Sequence, residues 1–279
     1  MENSNQAKPT DTYDVSYWVN KWKEIRGSLN NNYKLNDENR VFWNTAIEIF
    51  SERLQKFYIT PINELKKGNK GQGFVIVTAQ CALIETFAAF KKGRIYDRGK
   101  YDSNKKEKDQ IYYIDSGSLF IEFLKIEPEF KDIFCPLSRE KIGAGKFYTD
   151  VRCGLLHETR TRVDWVIKAD GFDYHKKQKK EGKDFNYNCE FIIKREGKII
   201  IFRNQFQKRL ENYFDNYKED LKKSGVAFEE LRRLFARKLD HLFDITKDDS
   251  FDWWKNEKQS AETSCFQELT NFALKFFYD

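Results

Sequence analysis

The stretch Phe74–Phe90, FVIVTAQCALIETFAAF, decides the fold class. It is strongly apolar and rich in good helix formers, so it predicts a buried helix on which others pack. On its N-terminal side, Asn36 or Asp37 can cap a long helix that carries Val41, Phe42, Ala46, Ile49, Phe50 and Leu54 on one side, and Pro61 then breaks or restarts it. Further upstream, Tyr17, Trp18 and Trp22 make one amphipathic stripe. On its C-terminal side, Lys91–Lys108 has dense charge, two glycines (Gly93, Gly99) and little apolar periodicity, and reads as an exposed loop. Helices are expected over about Asp109–Ile126 and Ala144–Val163, with Pro128 and Pro136 flanking a short connector between them.

Beyond that point the period changes. Residues 164–169, DWVIKA, fit a strand. Asn188–Arg195 and Lys198–Arg203 are β-branched runs on either side of Glu196-Gly197, a hairpin pattern. Helical patterns resume at about Asn204–Lys223, Ala227–Phe243 and Ala261–Tyr278. The expected fold is mainly α, a helical bundle with a small inserted antiparallel β-hairpin or sheet, in a single domain over residues 1–279. The β insertion spans about 164–203 and the C-terminal helices about 204–279. The alternative is a two-domain split near residue 163.

Of the 279 residues, 40% are hydrophobic and 34% charged, enough for a core and for a solvated surface. The start, MENSNQAKPTDTYD, is polar, so no secretory signal is expected, and uninterrupted apolar runs such as Phe74–Val77 are far short of a membrane span. The expectation is a cytoplasmic protein without membrane contact. Its five cysteines are scattered without a CxxC pair and read as reduced thiols. The net charge of +6 is concentrated in two basic stretches, one containing Lys105 and Lys106 and the other containing Lys176, Lys177, Lys179 and Lys180. Such patches suit a polyanion such as RNA, and equally suit solvated loops.

The chain has three histidines. His175 sits beside the second lysine run and reads as a surface residue, and His241, within ARKLDHLFD, reads as a half-buried helix residue. No histidine pair has metal-ligand spacing and no HExxH, GxxxxGK[ST] or GxGxxG is present, so no metal site and no cofactor are expected. His157 differs because of its neighbours, in KFYTDVRCGLLHETRTR, residues 146–162. Arg152 precedes it by five positions, and Arg160 follows at i+3, which on an α-helix shares a face with His157. An imidazole can take a proton from a 2′-hydroxyl, and a guanidinium can hold the scissile phosphate and the charge that develops on it.

The segment FYTDVRCGLLHETRT resembles the active-site helix of HEPN-superfamily proteins, whose motif is Arg, four to six residues, then His. AQCALIETFAAF is similar to the helix packed beside it, which in many members carries an acidic residue. Glu85 stands there. The resemblance covers roughly residues 36 to 165, a HEPN-like core. It implies a metal-independent endoribonuclease that attacks with the 2′-hydroxyl and leaves a 2′,3′-cyclic phosphate, with Arg152 and His157 catalytic and Arg160 and Glu85 auxiliary. Cys153 stands where many members carry a polar residue, often Asn. The family implies a homodimer with a composite cleft, a role as toxin or antiviral defence effector, and an antitoxin or regulatory partner. Gly154 then reads as the point where a second copy approaches. A non-catalytic RNA- or nucleotide-binding module and an interaction subunit are the other readings of the same residues.

Overall fold

The computed structural model describes residues 15–67, 71–106, 110–134, 142–162, 164–170 and 190–255. Helix α1 (Ser16–Leu29) leads to α2 (Asp37–Leu54), a π turn (Gln55–Ile59) and α3 (Thr60–Leu65). Helix α4 (Gly73–Lys92) is followed by β1 (Ile95–Tyr96), β2 (Tyr112–Tyr113), α5 (Ser116–Ile126) and α6 (Lys131–Phe134). Helix α7 (Ala144–Phe147), a second π turn (Tyr148–Cys153) and α8 (Gly154–Glu158) form one continuous helical segment. Strands β3 (Trp165–Lys168), β4 (Ile192–Arg195) and β5 (Lys198–Phe202) precede α9 (Arg203–Leu221), α10 (Val226–Leu242) and a 3-10 turn (Asp252–Trp254).

The chain is mainly helical with a small sheet, and α4 is its organising element. Ile76, Val77, Cys81, Ile84, Phe87 and Phe90 are buried on it, and α5, α9 and α10 pack against it. Aromatic rings fill the contact: Phe50 of α2 lies 4.1 Å from Phe90 and 5.6 Å from Phe235 of α10, ring centre to ring centre. Gly93 ends α4 at φ +56°, and a Cβ there would meet the Leu234 side chain at 2.8 Å, so glycine both turns the chain and lets α10 approach. The expectation that no segment reaches membrane-spanning length counted only unbroken apolar runs. Helix α4, with Gln80 and Glu85 interspersed, is long and apolar enough by length and mean hydropathy (1.7), although more than half of it is buried inside the fold.

Local rules explain most boundaries, and tertiary packing corrects the rest. Asn36 caps α2 in a reciprocal pair with Asn39. Val41, expected on its apolar side, is exposed because it lies about 160° round the helix from the buried Asn39 and Trp43, and Tyr17 on α1 is exposed about 100° from the buried Trp18. Pro61 does not break the helix after α2: the wider π turn absorbs the missing N–H, and α3 continues. Lys91 and Lys92 belong to α4, and Ile95 inside the expected loop is a buried strand residue paired with Tyr112. The helix expected from Asp109 starts only at Ser116, where Asp115 accepts from the N–H groups of Gly117 and Ser118.

The hairpin forms as expected, with Glu196 and Gly197 both at positive φ in a two-residue turn. The sheet is not purely antiparallel. Its order is β3-β5-β4, and β3 pairs parallel with β5 from Trp165↔Ile199 to Lys168↔Phe202. Antiparallel pairing was legible in the turn, whereas the parallel pair depends on a long-range return of the chain. The helix expected at Ala261–Tyr278 lies outside the described residues.

Asp240 is fully buried on α10 and accepts five hydrogen bonds. Trp22 and Trp253 each donate an indole N–H at 2.8 Å, Trp254 donates at 2.9 Å, and Arg26 donates from two nitrogens at 2.9 and 2.6 Å. The Arg26 guanidinium also lies 3.7 Å from the Phe251 ring centre. Asp240→Ala would strand these donors in the core. It is expected to cost about 3–5 kcal/mol in urea unfolding followed by tryptophan fluorescence, and a loss below 1 kcal/mol would contradict the account.

Lys238, two residues earlier on α10, has its Nζ 6.0 Å from the Phe90 ring centre, and burial pulls its ammonium down from 10.5 to about 8. The unfolded chain therefore binds the extra proton between those values, and the folded state loses stability as pH falls from about 10.5 to about 8. Lys238→Met is expected to stabilise the protein by on the order of 2 kcal/mol at pH 7, a gain that shrinks as pH rises toward 10.5. Equal stability of the two proteins across this range in chemical denaturation would contradict it.

Candidate functional site

Arg152 lies on the π turn Tyr148–Cys153. A π turn closes i→i+5 hydrogen bonds, one residue more than an α turn, so positions four and five ahead both come back toward the starting residue. Arg152 and Cys153 thus both flank Tyr148. The guanidinium carbon is 5.4 Å from the Tyr148 ring centre, and Cys153 interacts with the Tyr148 hydroxyl. The Tyr148 hydroxyl is 3.1 Å from Ser116 Oγ, at the start of α5.

From α4, Glu85 Oε1 accepts from Arg152 Nε at 2.5 Å. That bond uses Nε, so the two terminal nitrogens of the guanidinium are not committed to Glu85. Both side chains are mostly covered, with 16% and 21% exposure. Cys81, one turn before Glu85, lies in the electrostatic field of Glu85, Arg152 and Cys153. Tyr113 of β2 lies in the field of Glu85 and Arg152 from another side, with its ring 5.5 Å from that of Tyr96.

Burial pulls Arg152 down, but the hydrogen bond and charge of Glu85 outweigh it, and the guanidinium is held more firmly protonated than usual. Burial, reinforced by Glu85, pushes Tyr113 up to about 12. Burial also raises Tyr148, against the hydrogen bond from Ser116, and raises the Cys81 thiol. At neutral pH, Arg152 is therefore a fixed cation among neutral hydroxyls and a neutral thiol, and none of Tyr113, Tyr148 or Cys81 can act there as a base.

The helical segment is pinned at both ends. Asp150 accepts from Lys146 and from the Trp165 indole of β3 at 3.2 Å, and its carbonyl accepts from Arg162 N–H at 3.1 Å. α8 stops at Glu158, and Thr159 turns the chain at φ +53°, so Arg160 N–H reaches back to the Gly154 carbonyl at 3.2 Å.

The expected residues therefore separate into two groups. Arg152, Glu85 and Cys153 come together. His157 is exposed on the last turn of α8. Arg160 is not on its helix, because the helix expected to reach Val163 ends at Glu158. Instead Arg160 Nη2 pairs with Glu158 at 2.7 Å. Gly154 is buried, and a Cβ on it would lie 2.5 Å from the Arg160 carbonyl oxygen. Within the chain its close contact is with the returning segment after Thr159. His241 is half-buried, as expected, and burial pulls it down. Lys105 and Lys106 are exposed. Lys176, Lys177, Lys179, Lys180 and His175 lie outside the described residues.

Sequence reasoning missed Tyr148, Ser116 and Tyr113. Tyr148 was discoverable, because it precedes Arg152 by four positions in the stretch already singled out. Ser116 and Tyr113 reach the site only through the packing of α5 and β2. Among the described residues, no group of three His, Cys, Asp or Glu side chains is arranged to hold a metal ion. The chain matches none of the protein-family models, curated proteins or solved structures compared with it.

Gly154→Ala forces its methyl into the Arg160 carbonyl. It is expected to lower stability by about 1–3 kcal/mol in thermal or urea unfolding, and a variant as stable as the parent would show that the reversal after Thr159 is loose.

Proposed function

We propose that this protein is a metal-independent endoribonuclease of HEPN type, on a HEPN-like helical bundle, with Arg152 and His157 as its catalytic residues. The observation that carries the reading is the fixed state of Arg152: one carboxylate holds its Nε, its terminal nitrogens are not committed to that carboxylate, and it shares a single pinned helical segment with the exposed imidazole of His157. In the proposed reaction His157 takes the proton from a ribose 2′-hydroxyl, and that oxygen attacks the adjacent phosphorus. The O2′–P bond forms as the P–O5′ bond breaks, giving a 2′,3′-cyclic phosphate and a 5′-hydroxyl that receives a proton as it leaves. Arg152 stabilises the charge on the non-bridging oxygens. Glu85 acts as a positioning residue through Nε. The neutral tyrosines and the Cys81 thiol cannot replace His157 as base.

The same reading carries a cytoplasmic homodimer and a role as toxin or antiviral effector under an antitoxin or regulatory partner. A non-catalytic RNA-binding module is the second reading, and one observation favours it: Arg152 is engaged by Glu85, while Arg160 is engaged by Glu158 and not by the site.

Purified protein incubated with RNA in EDTA is expected to yield cyclic-phosphate ends. His157→Ala is expected to lower the rate by roughly a hundredfold or more, and Arg152→Lys should not restore what Arg152→Ala loses. Intact RNA across several structured and unstructured substrates would remove the nuclease reading in favour of the binding module.

A further inference from the structure

The connection between β1 and β2 carries a feature that the Arg152 site does not use. Two adjoining hollows, of about 270 and 290 Å³, lie beneath it and share Lys105, Gln110 and Tyr112. The first opens beside Tyr113, the residue that senses Glu85 and Arg152, and is walled by Lys92, Arg94 and Tyr101. The second runs on to Lys100, Lys247 and Lys255. Among the described residues their walls hold six cations (Lys92, Arg94, Lys100, Lys105, Lys247, Lys255) and three carboxylates (Asp115, Glu122, Asp249), in a chain whose acidic and basic totals are nearly balanced.

Four of these cations sit in surface ion pairs: Lys92 with Glu122, Lys100 with Asp97, Lys247 with Asp249 and Lys255 with Asp252, pairs of little strength that a phosphate can displace. Tyrosines are interleaved with them. Tyr101 is 37% exposed and Tyr96, beside Tyr113, is 48% exposed, an unusual outlay of aromatic surface beside lysines. Lys100 Nζ stands 5.6 Å from the Tyr112 ring centre, so cation and ring already face each other. A row of cations with aromatic faces between them fits a single strand, whose unstacked bases lie on the rings while its phosphates meet the lysines. A duplex keeps its bases stacked inside and can use only the charge.

We propose that this groove binds single-stranded RNA, with Tyr101 as a base-stacking residue and Lys105 as a phosphate ligand, and leads the strand past Tyr113 toward Arg152. The inference rests on the ribonuclease reading for the identity of the polymer and deepens it by naming the form of the substrate.

The test uses the full chain and a labelled 2′-O-methyl oligouridylate of about 12 nucleotides, which has no 2′-hydroxyl to attack, in fluorescence anisotropy at low salt. The single strand is expected to bind roughly tenfold or more tighter than a duplex of equal length. Tyr101→Ala should weaken the single strand by about fivefold or more and leave the duplex nearly unchanged. Lys105→Glu should weaken both and flatten the salt dependence. Equal affinity for strand and duplex, or a Tyr101→Ala variant that binds the single strand as well as the parent, would overturn the proposal. So would preferential displacement of the RNA by poly-glutamate at equal charge, which would assign the groove to an acidic peptide. Cleavage of unmodified RNA is followed in parallel. If that RNA stays intact while the 2′-O-methyl strand still binds through Tyr101, the nuclease reading falls and the groove stands. If cleavage proceeds without any dependence on Tyr101, the reverse holds.

Discussion

The carboxylate of Asp240, on α10, takes hydrogen bonds from three indoles and a guanidinium drawn from α1 and the 3-10 turn near residue 253. A buried charge of this kind is tolerable only when every lone pair is met, and here the partners come from positions 22, 26, 253 and 254, far apart in the chain. Hydrophobic burial alone would let α1 and α10 slide or rotate, since greasy contacts are non-directional. Five directed bonds to one carboxylate permit a single arrangement. With α10 so placed, Phe235 meets Phe50 and Phe90, and Leu234 meets Gly93. Those contacts set α4, and α4 presents Glu85.

Glu85 in turn fixes Arg152, and the π turn determines what else Arg152 meets. Had residues 144–158 been one regular α-helix, Cys153 would have been rotated well away from Tyr148. The inserted residue groups Tyr148, Arg152 and Cys153 on the side facing α4 and α5. Glu85 keeps the Arg152 guanidinium protonated, and the two charges form a largely buried ion pair beside protonated hydroxyls. The reversal at Thr159 then leaves His157 at the mouth of the segment, separated from Arg160.

The grooves beneath the β1–β2 connection extend this logic to the surface. Two residues of strand pairing, Ile95 with Tyr112 and Tyr96 with Tyr113, hold the two ends of what composition reads as a solvated loop. Between them Lys100 Nζ stands 5.6 Å from the Tyr112 ring centre. Charge density alone could not distinguish a solvated loop from a built surface.

Much was legible from residues alone. The apolar run Phe74–Phe90 determined a buried helix, Asn36 a helix start, and Glu196-Gly197 a hairpin, because capping, propensity and turn chemistry are local and act over a few residues. Arg152, His157 and Arg160 could be singled out from the residues of one segment, while Glu85 and Cys153 entered only through the family resemblance. Three things were decided only by tertiary structure. The sheet is mixed because β3 returns to β5 over long range. The Arg152 segment carries a π turn that packs against both α4 and α5, which no α-periodic reading anticipates. Gly154 lies under the Arg160 carbonyl because the chain reverses at Thr159. In each case the determining contact joins residues whose meeting depends on the whole fold, and a period or a motif holds no information about it.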